Sequence, residues 1–209
     1  MKKIALLKEI LKSDQTVFSF KELVVAYGAT IGKEALKAQL HYYVKTGNLY
    51  HIRRGLYAKD TQYDRLELAT KILIPSYVSF ETVLSSTGII FQYYQQIFVA
   101  SYQSREIACD DQIYFFRKLK SPILTHSIGI ESYKKYSVAT KERAFLDTLY
   151  VHKKYYFDNL EPLDWEKVYE ILPIYEKKTL REHVDELYHS FKKSRPQKRD
   201  DLPSQACPR

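Results

Sequence analysis

Cysteine, tryptophan, methionine and glycine are scarce in this 209-residue sequence, with two, one, one and six occurrences. Cys109 and Cys207 cannot build a disulfide framework, and neither stands in a Cys-x-x-Cys arrangement. The six histidines (His41, His51, His126, His152, His183, His189) show no His-x-x-x-His or other metal-ligand spacing. So few glycines leave little scope for a phosphate-cradling loop, and no Gly-x-Ser-x-Gly elbow occurs. No apolar run approaches the roughly 20 residues that span a bilayer. The Met-Lys-Lys start leads into a helical pattern interrupted by charge, not into a signal-peptide core. These absences predict a soluble, cytoplasmic protein with no catalytic residues, no cofactor, no metal and no membrane association.

What is present is core-forming material and positive charge. Hydrophobic residues make up 45 % of the chain and charged residues 28 %, enough for a buried core without a disordered composition. The formal charge of +8 is unevenly placed. Residues 1–60 hold 11 Lys+Arg against 5 Asp+Glu, whereas residues 61–193 hold 18 of each. The attraction for phosphate is therefore concentrated on the first sixty residues, although surface lysines also serve solubility.

Pattern bears on that choice. From Lys3 to Lys12, the apolar residues Ile4, Leu7 and Leu11, flanked by Leu6 and Ile10, recur at helical spacing with lysines outside. Ser19-Phe20-Lys21-Glu22 has the form of a capping box and predicts a second helix, through Leu23 and Val24 to about Tyr27, stopping at Gly28. A third helix, from about Thr30–Gly32 to Gly47, is expected to bury Leu36, Leu40, Tyr43 and Val44. Two strand-like pieces, Leu49–Ile52 and Leu56–Ala58, then flank a turn containing Arg53, Arg54 and Gly55.

Three helices followed by a basic-tipped hairpin is the order of a winged helix-turn-helix. The third helix would enter the DNA major groove, and the wing would reach phosphate or the minor groove. Opposite its apolar side lie Glu34, Ala38, His41, Tyr42 and Lys45, with Lys33 and Lys37 at the flanks. The expected DNA contacts are Lys33, Lys37, Ala38, His41 and Lys45 for base readout, and Arg53 and Arg54 for positioning. Ala38 would allow close approach, while Glu34 suits only an acceptor role toward cytosine. Winged helices also serve as protein-contact modules.

The remainder predicts an α+β arrangement, a small mixed sheet with helices. Helices are expected over Asp64–Ile74, Phe80–Thr87 (capped by Ser79), Lys141–Val151 (capped by Thr140), Asp164–Leu172 and Glu176–Lys193. Strands are expected at Gln95–Tyr102, Gln112–Arg117, Ser127–Glu131 and Tyr136–Val138. The domain boundaries follow as 1–60, 61–193 and a flexible tail over 194–209. Asp147, four residues after Arg143, predicts an ion pair on a capped amphipathic helix, with Glu142 pairing with Arg143 across the surface. Tyr93, Tyr94, Tyr102 and Tyr114 suit either a half-buried sheet or a nucleic-acid or protein surface.

Several segments in this order carry a family resemblance. They are the wing ending Arg54-Gly55-Leu56-Tyr57, the segment Pro75-Ser76-Tyr77-Val78-Ser79-Phe80-Glu81 onward to Gly88, and the strand ending Val99-Ala100-Ser101. Arg105, the aromatic strand Tyr114–Phe116 and the run Ala139-Thr140-Lys141-Glu142-Arg143-Ala144-Phe145-Leu146-Asp147 complete the set. Over residues 5–150 the chain resembles the AbiEi antitoxins of bacterial abortive-infection toxin–antitoxin systems. The resemblance implies a winged-helix repressor that binds inverted repeats in its own promoter as double-stranded DNA. It also implies a C-terminal domain that counteracts a cognate nucleotidyltransferase-like toxin without a stable complex. Two other readings stay open. One is a metal-dependent nuclease or nucleotide-modifying C-terminal domain, using Glu176 and Lys178 with Asp158 or Asp164. The other is a ligand-sensing regulator without a toxin.

Overall fold

The computed structural model describes residues 6–133 and 135–194. The chain divides into two compact units, Met1–Glu176 and Lys177–Arg209. Residues 3–5 of the first expected helix and the expected tail beyond residue 194 lie outside the described residues.

The first unit opens with α1 (Leu6–Lys12), β1 (Val17–Ser19), α2 (Phe20–Ile31), α3 (Lys33–Lys45), β2 (Tyr50–Arg53) and β3 (Leu56–Ala58). The capping box forms as the sequence predicts. Ser19 Oγ accepts from the Glu22 amide at 3.1 Å, and a Glu22 carboxylate oxygen accepts from the Ser19 amide at 3.0 Å. α2 does not stop at Gly28. It continues to Ile31 and closes on Gly32, whose φ of 85° is readily open to glycine. A glycine inside a helix costs only about 1 kcal/mol, and Leu23, Val24, Tyr27 and Ile31 all pack on the core. That core joins Leu6, Ile10, Phe18, Leu23, Leu36, Leu40 and Leu49, so α1 buries the flanking Leu6 and Ile10 while Leu11 is exposed and Leu7 only half-buried. Tyr43 and Val44, expected to be buried, are only half-buried at its margin.

β1, β3 and β2 form an antiparallel sheet in that order. β1 was not expected, because three residues give too little alternation to read. It pairs Val17 with Ala58 and Ser19 with Leu56, so the hairpin is pinned to the start of α2.

The first unit continues with α4 (Arg65–Ile72), β4 (Ser76–Val78), α5 (Glu81–Ser86), β5 (Ile97–Ser101), β6 (Arg105–Cys109) and β7 (Gln112–Lys118). It ends with α6 (Ser121–Leu124), β8 (Ile130–Ser132), β9 (Ser137–Ala139), α7 (Lys141–Val151), α8 (Trp165–Ile171) and a 3₁₀ turn, Leu172–Tyr175. The architecture is α+β. A six-stranded mixed sheet runs β6-β7-β5-β4-β9-β8, with β5–β7 and β4–β9 parallel and the other pairs antiparallel. All five residues of β5 are buried, as a central strand covered on both faces requires. The second unit contributes α9 (Lys178–Ser194), on which Leu180, Val184, Leu187 and Phe191 recur on one face. Among the described residues, no helix is long and apolar enough to cross a membrane.

α7 has the expected limits and the expected Thr140 cap, but not the expected environment. Residues Glu142 to Leu149 are all buried. Arg143 and Asp147 make their i,i+4 pair at 3.4 Å with both side chains at 0 % exposure, so the pair is internal, not on the surface. Glu142 is not Arg143's partner. It accepts from the Asp164 amide at 3.2 Å and lies 4.0 Å from Lys141 Nζ.

The remaining bonding capacity of the buried pair is met by neighbours. Asp147 accepts from the hydroxyls of Tyr175 (2.7 Å), Ser79 (2.8 Å) and Tyr77 (2.9 Å). Arg143 donates to the carbonyls of Ile123 (2.6 Å) and Ile128 (2.8 Å) and to the Tyr77 hydroxyl (3.1 Å). Ser79 therefore does not cap α5, as the sequence suggested; Phe80 precedes that helix with φ 55°. Gly129 is required beside the pair, since its φ is 70° and a Cβ there would stand 2.8 Å from Ile171 and 3.0 Å from Arg143. Removing one member of such a pair strands the other charge. Arg143→Ala should lower unfolding free energy by about 3–5 kcal/mol in urea denaturation; a loss below about 1 kcal/mol would show that the pair does not hold this region together.

Candidate nucleic-acid interface

α3 turns Leu36 and Leu40 into the core, and its geometry fixes what faces outward. Lys33, Lys37, Ala38, His41 and Lys45 are all exposed, as are Glu34 and Tyr42 between them. Tyr42 stands edge-on to Tyr43, with ring centroids 6.0 Å apart. The helix ends at Thr46, whose hydroxyl donates to the Tyr42 carbonyl at 2.9 Å, and Gly47 follows at φ 73°.

Arg54 occupies the β2–β3 turn and is exposed, whereas Arg53, expected in the turn, is the last residue of β2, paired with Leu56 and partly exposed. Pairing between β2 and β3 is irregular between His51 and Arg53, a bulge that bends the strand just before the arginines. The Gly55 carbonyl accepts from the Phe20 amide at 2.8 Å, tying the turn to the start of α2. Among the described residues, none of Lys33, Lys37, Lys45, Arg53 or Arg54 enters an ion pair. Their charge is therefore not neutralised by a neighbouring carboxylate.

The structure gathers these residues as two sets. Five lie along α3. The two arginines line a cavity with residues from α2, α4 and the segment after β5, and none from α3. Lys21 belongs with the arginines there, although sequence reasoning did not single it out. Its signal was its place in the capping box, in the first turn of α2.

A buried polar network holds this basic region against α4. Glu67, fully buried, accepts from the Thr16 amide (2.8 Å) and hydroxyl (2.7 Å). Lys71 donates to the Val17 carbonyl at 2.7 Å and to Glu22 at 3.0 Å, and lies 3.5 Å from Glu67. The Thr16 hydroxyl in turn accepts from the Asp64 amide at 2.9 Å. These partners are about fifty positions apart in sequence, so spacing alone gave no sign of the network.

A second cluster sits between α5 and β7. Arg117 grips Glu81 through two bonds, of 2.6 and 2.9 Å, and its guanidinium lies over the rings of Phe98 (4.6 Å) and Phe80 (5.0 Å). With both carboxylate oxygens engaged, Glu81 acts as a clamp, not as a free base. His152 lies near it. Burial, then the Arg117 charge, lowers its pKa below the usual imidazole range, against the opposing pull of Glu81. Its buried Nε2 has no hydrogen-bond partner among the described residues. Burial also raises the Tyr155 hydroxyl, with Glu81 adding to it.

In the α7 network, burial opposes charge on Arg143, but Tyr175, Asp147 and Tyr77 more than offset it and hold the guanidinium above its ordinary range. Burial, followed by Asp147, raises Tyr77 and Tyr175, so both hydroxyls stay donors. The two segments most specific to the resemblance, Pro75–Gly88 and Ala139–Asp147, thus meet in the interior through Tyr77, Ser79, Arg143 and Asp147.

The other candidates do separate jobs. Asp158 accepts from the Phe91 amide at 2.8 Å, Asp164 caps α8, and Glu176 is an exposed left-handed residue before α9, not the first residue of that helix. Among the described residues, no group of three or more His, Cys, Asp or Glu is placed to hold a metal ion. Tyr114 is fully buried and Tyr94 half-buried, whereas Tyr93 and Tyr102 are exposed. Burial raises the Cys109 thiol above its ordinary value. The chain matches no protein-family model and no curated protein.

The His152 shift has a definite consequence. A base whose folded pKa lies below its unfolded value of 6.5 contributes stability above pH 6.5 and loses it as pH falls toward the folded value. Wild type should therefore lose stability relative to His152→Gln between pH 7 and pH 5, read as denaturation midpoints across that range. Parallel midpoints would show that burial of His152 is not linked to folding.

Proposed function

We propose that this chain is a DNA-binding transcriptional repressor and antitoxin, with a winged helix built from α1 to β3. The observation that carries the reading is the unneutralised basic face: Lys33, Lys37, His41 and Lys45 along an exposed helix, and Arg53 and Arg54 at a hairpin turn. The order helix, strand, two helices, hairpin, with the first strand closing a three-stranded sheet, supports it. In this reading α3 enters the major groove of double-stranded DNA and the turn arginines bind phosphate. The buried Glu67–Lys71–Thr16 network would keep the hairpin and α2 in a fixed relation to α4 during binding.

The antitoxin half of the proposal rests on the AbiEi resemblance. It assigns inverted repeats in the chain's own promoter as the DNA target and antagonism of a nucleotidyltransferase-like toxin to the region beyond residue 60, in the cytoplasm. Many of the residues most specific to the resemblance, among them Tyr77, Ser79, Arg143 and Asp147, are interior, so they shape that region, and its outer surface would act on the toxin pathway.

Counterion release gives the test. With a promoter duplex in gel-shift titrations, Arg53→Ala/Arg54→Ala should weaken binding and reduce the log–log salt slope by up to about two. Ala38→Glu, at the centre of the outer face of α3, should abolish sequence preference by putting a carboxylate and added bulk against the groove. An unchanged salt slope would remove the turn from the interface, and unchanged sequence preference would remove α3. For the second half, the arginine double variant should still relieve growth arrest by the neighbouring toxin when co-expressed from an unrelated promoter. Loss of relief would make neutralisation a consequence of DNA binding.

A further inference from the structure

We propose that the cavity between the β2–β3 turn and the end of α4 is a binding site for a small organic anion with an apolar body. The cavity measures about 420 Å³, within the range of small-molecule sites. Four of its lining residues, Lys21, Arg53, Arg54 and Lys71, are cationic, and no lining residue is a carboxylate. Lys71 is neutralised by Glu22 and Glu67 and forms a fixed part of the wall. Lys21, Arg53 and Arg54 have no ion-pair partner among the described residues and are left to meet an anion.

The rest of the lining includes an apolar wall. Leu56 and Ile72 belong to it, as do Ile74, which is 61 % exposed, and Tyr102, which is 45 % exposed. Large apolar groups left open to water beside unpaired cations match an amphiphile: an anionic group toward Lys21 and Arg54, and a ring or short hydrocarbon against Ile74 and Tyr102. An inorganic ion would satisfy the cations but leave this wall wet.

The site shares Arg53 and Arg54 with the proposed DNA contacts, so an occupant would withdraw them from phosphate and release DNA. That consequence rests on the DNA-binding reading; occupation of the cavity does not.

The probe is 8-anilinonaphthalene-1-sulfonate, titrated into the full chain by fluorescence, with uncharged N-phenylnaphthylamine as its counterpart. Wild type should bind the sulfonate saturably at one site and the neutral probe about tenfold more weakly. Lys21→Gln/Arg54→Gln should weaken sulfonate binding by about tenfold, and so should Ile74→Glu, which places a like charge at the apolar edge. No saturable binding, or affinities within about twofold of wild type in both variants, would overturn the site.

In the second arm, saturating sulfonate should weaken promoter binding by wild type about tenfold but leave Ile74→Glu unaffected. Sulfonate binding with undiminished DNA affinity would overturn the competition and leave the site. A chain that binds the sulfonate but no duplex would fail the proposed function instead.

Discussion

Arg143 and Asp147 form the constraint around which much of the larger sheet is organised. Two full charges at zero exposure can exist only where every remaining donor and acceptor is met. The chain meets them from three directions: Tyr77 and Ser79 after α4, the carbonyls of Ile123 and Ile128 around α6, and Tyr175 from the 3₁₀ turn. Each is bound within a few tenths of an ångström of ideal length. β4, α6, α7 and the end of the first unit therefore cannot shift independently. The close approach of Gly129 to Arg143 is part of the same fit.

A smaller network of the same kind ties the basic N-terminal region to α4. Glu67 and Lys71 sit one helical turn apart, a spacing that usually gives a weak surface pair. Here both are buried, and both reach across to Thr16, Val17 and Glu22. The three-stranded sheet is anchored to its neighbour by hydrogen bonds to charged groups, which are directional. That favours one fixed orientation over a sliding apolar contact. The cations of the hairpin turn are consequently presented next to a recess, beside apolar groups of α4, as well as to solvent.

Much of the local structure was legible in the sequence. The capping box at Ser19, the limits of α7 with its Thr140 cap, the strand Leu56–Ala58 and the exposed side of α3 all follow from interactions within a few residues. The misreadings share a cause. Gly28 reads locally as a stop, but Val24, Tyr27 and Ile31 pack against the core across it, and an interior glycine costs only about 1 kcal/mol. Ser79 reads locally as a cap, but its hydroxyl serves a carboxylate 68 positions away. β1, β4 and β6 were missed: they are short, or exposed at an edge, and exist through their partners rather than through their own periodicity.

By itself, then, the sequence determined the concentration of charge in the first sixty residues, the helix starts, and which side of α3 meets solvent. Those properties depend on composition and on spacings of three or four residues. Only the tertiary structure decided that the Arg143–Asp147 pair is internal, that Glu81 and Arg117 clamp each other, and that Lys21 joins the turn arginines around one recess. The scarcity of cysteine and glycine bears only on local motifs built from those residues. It said nothing about which charges would meet, because those encounters join residues tens of positions apart and are fixed by burial and directional bonding once the chain has closed.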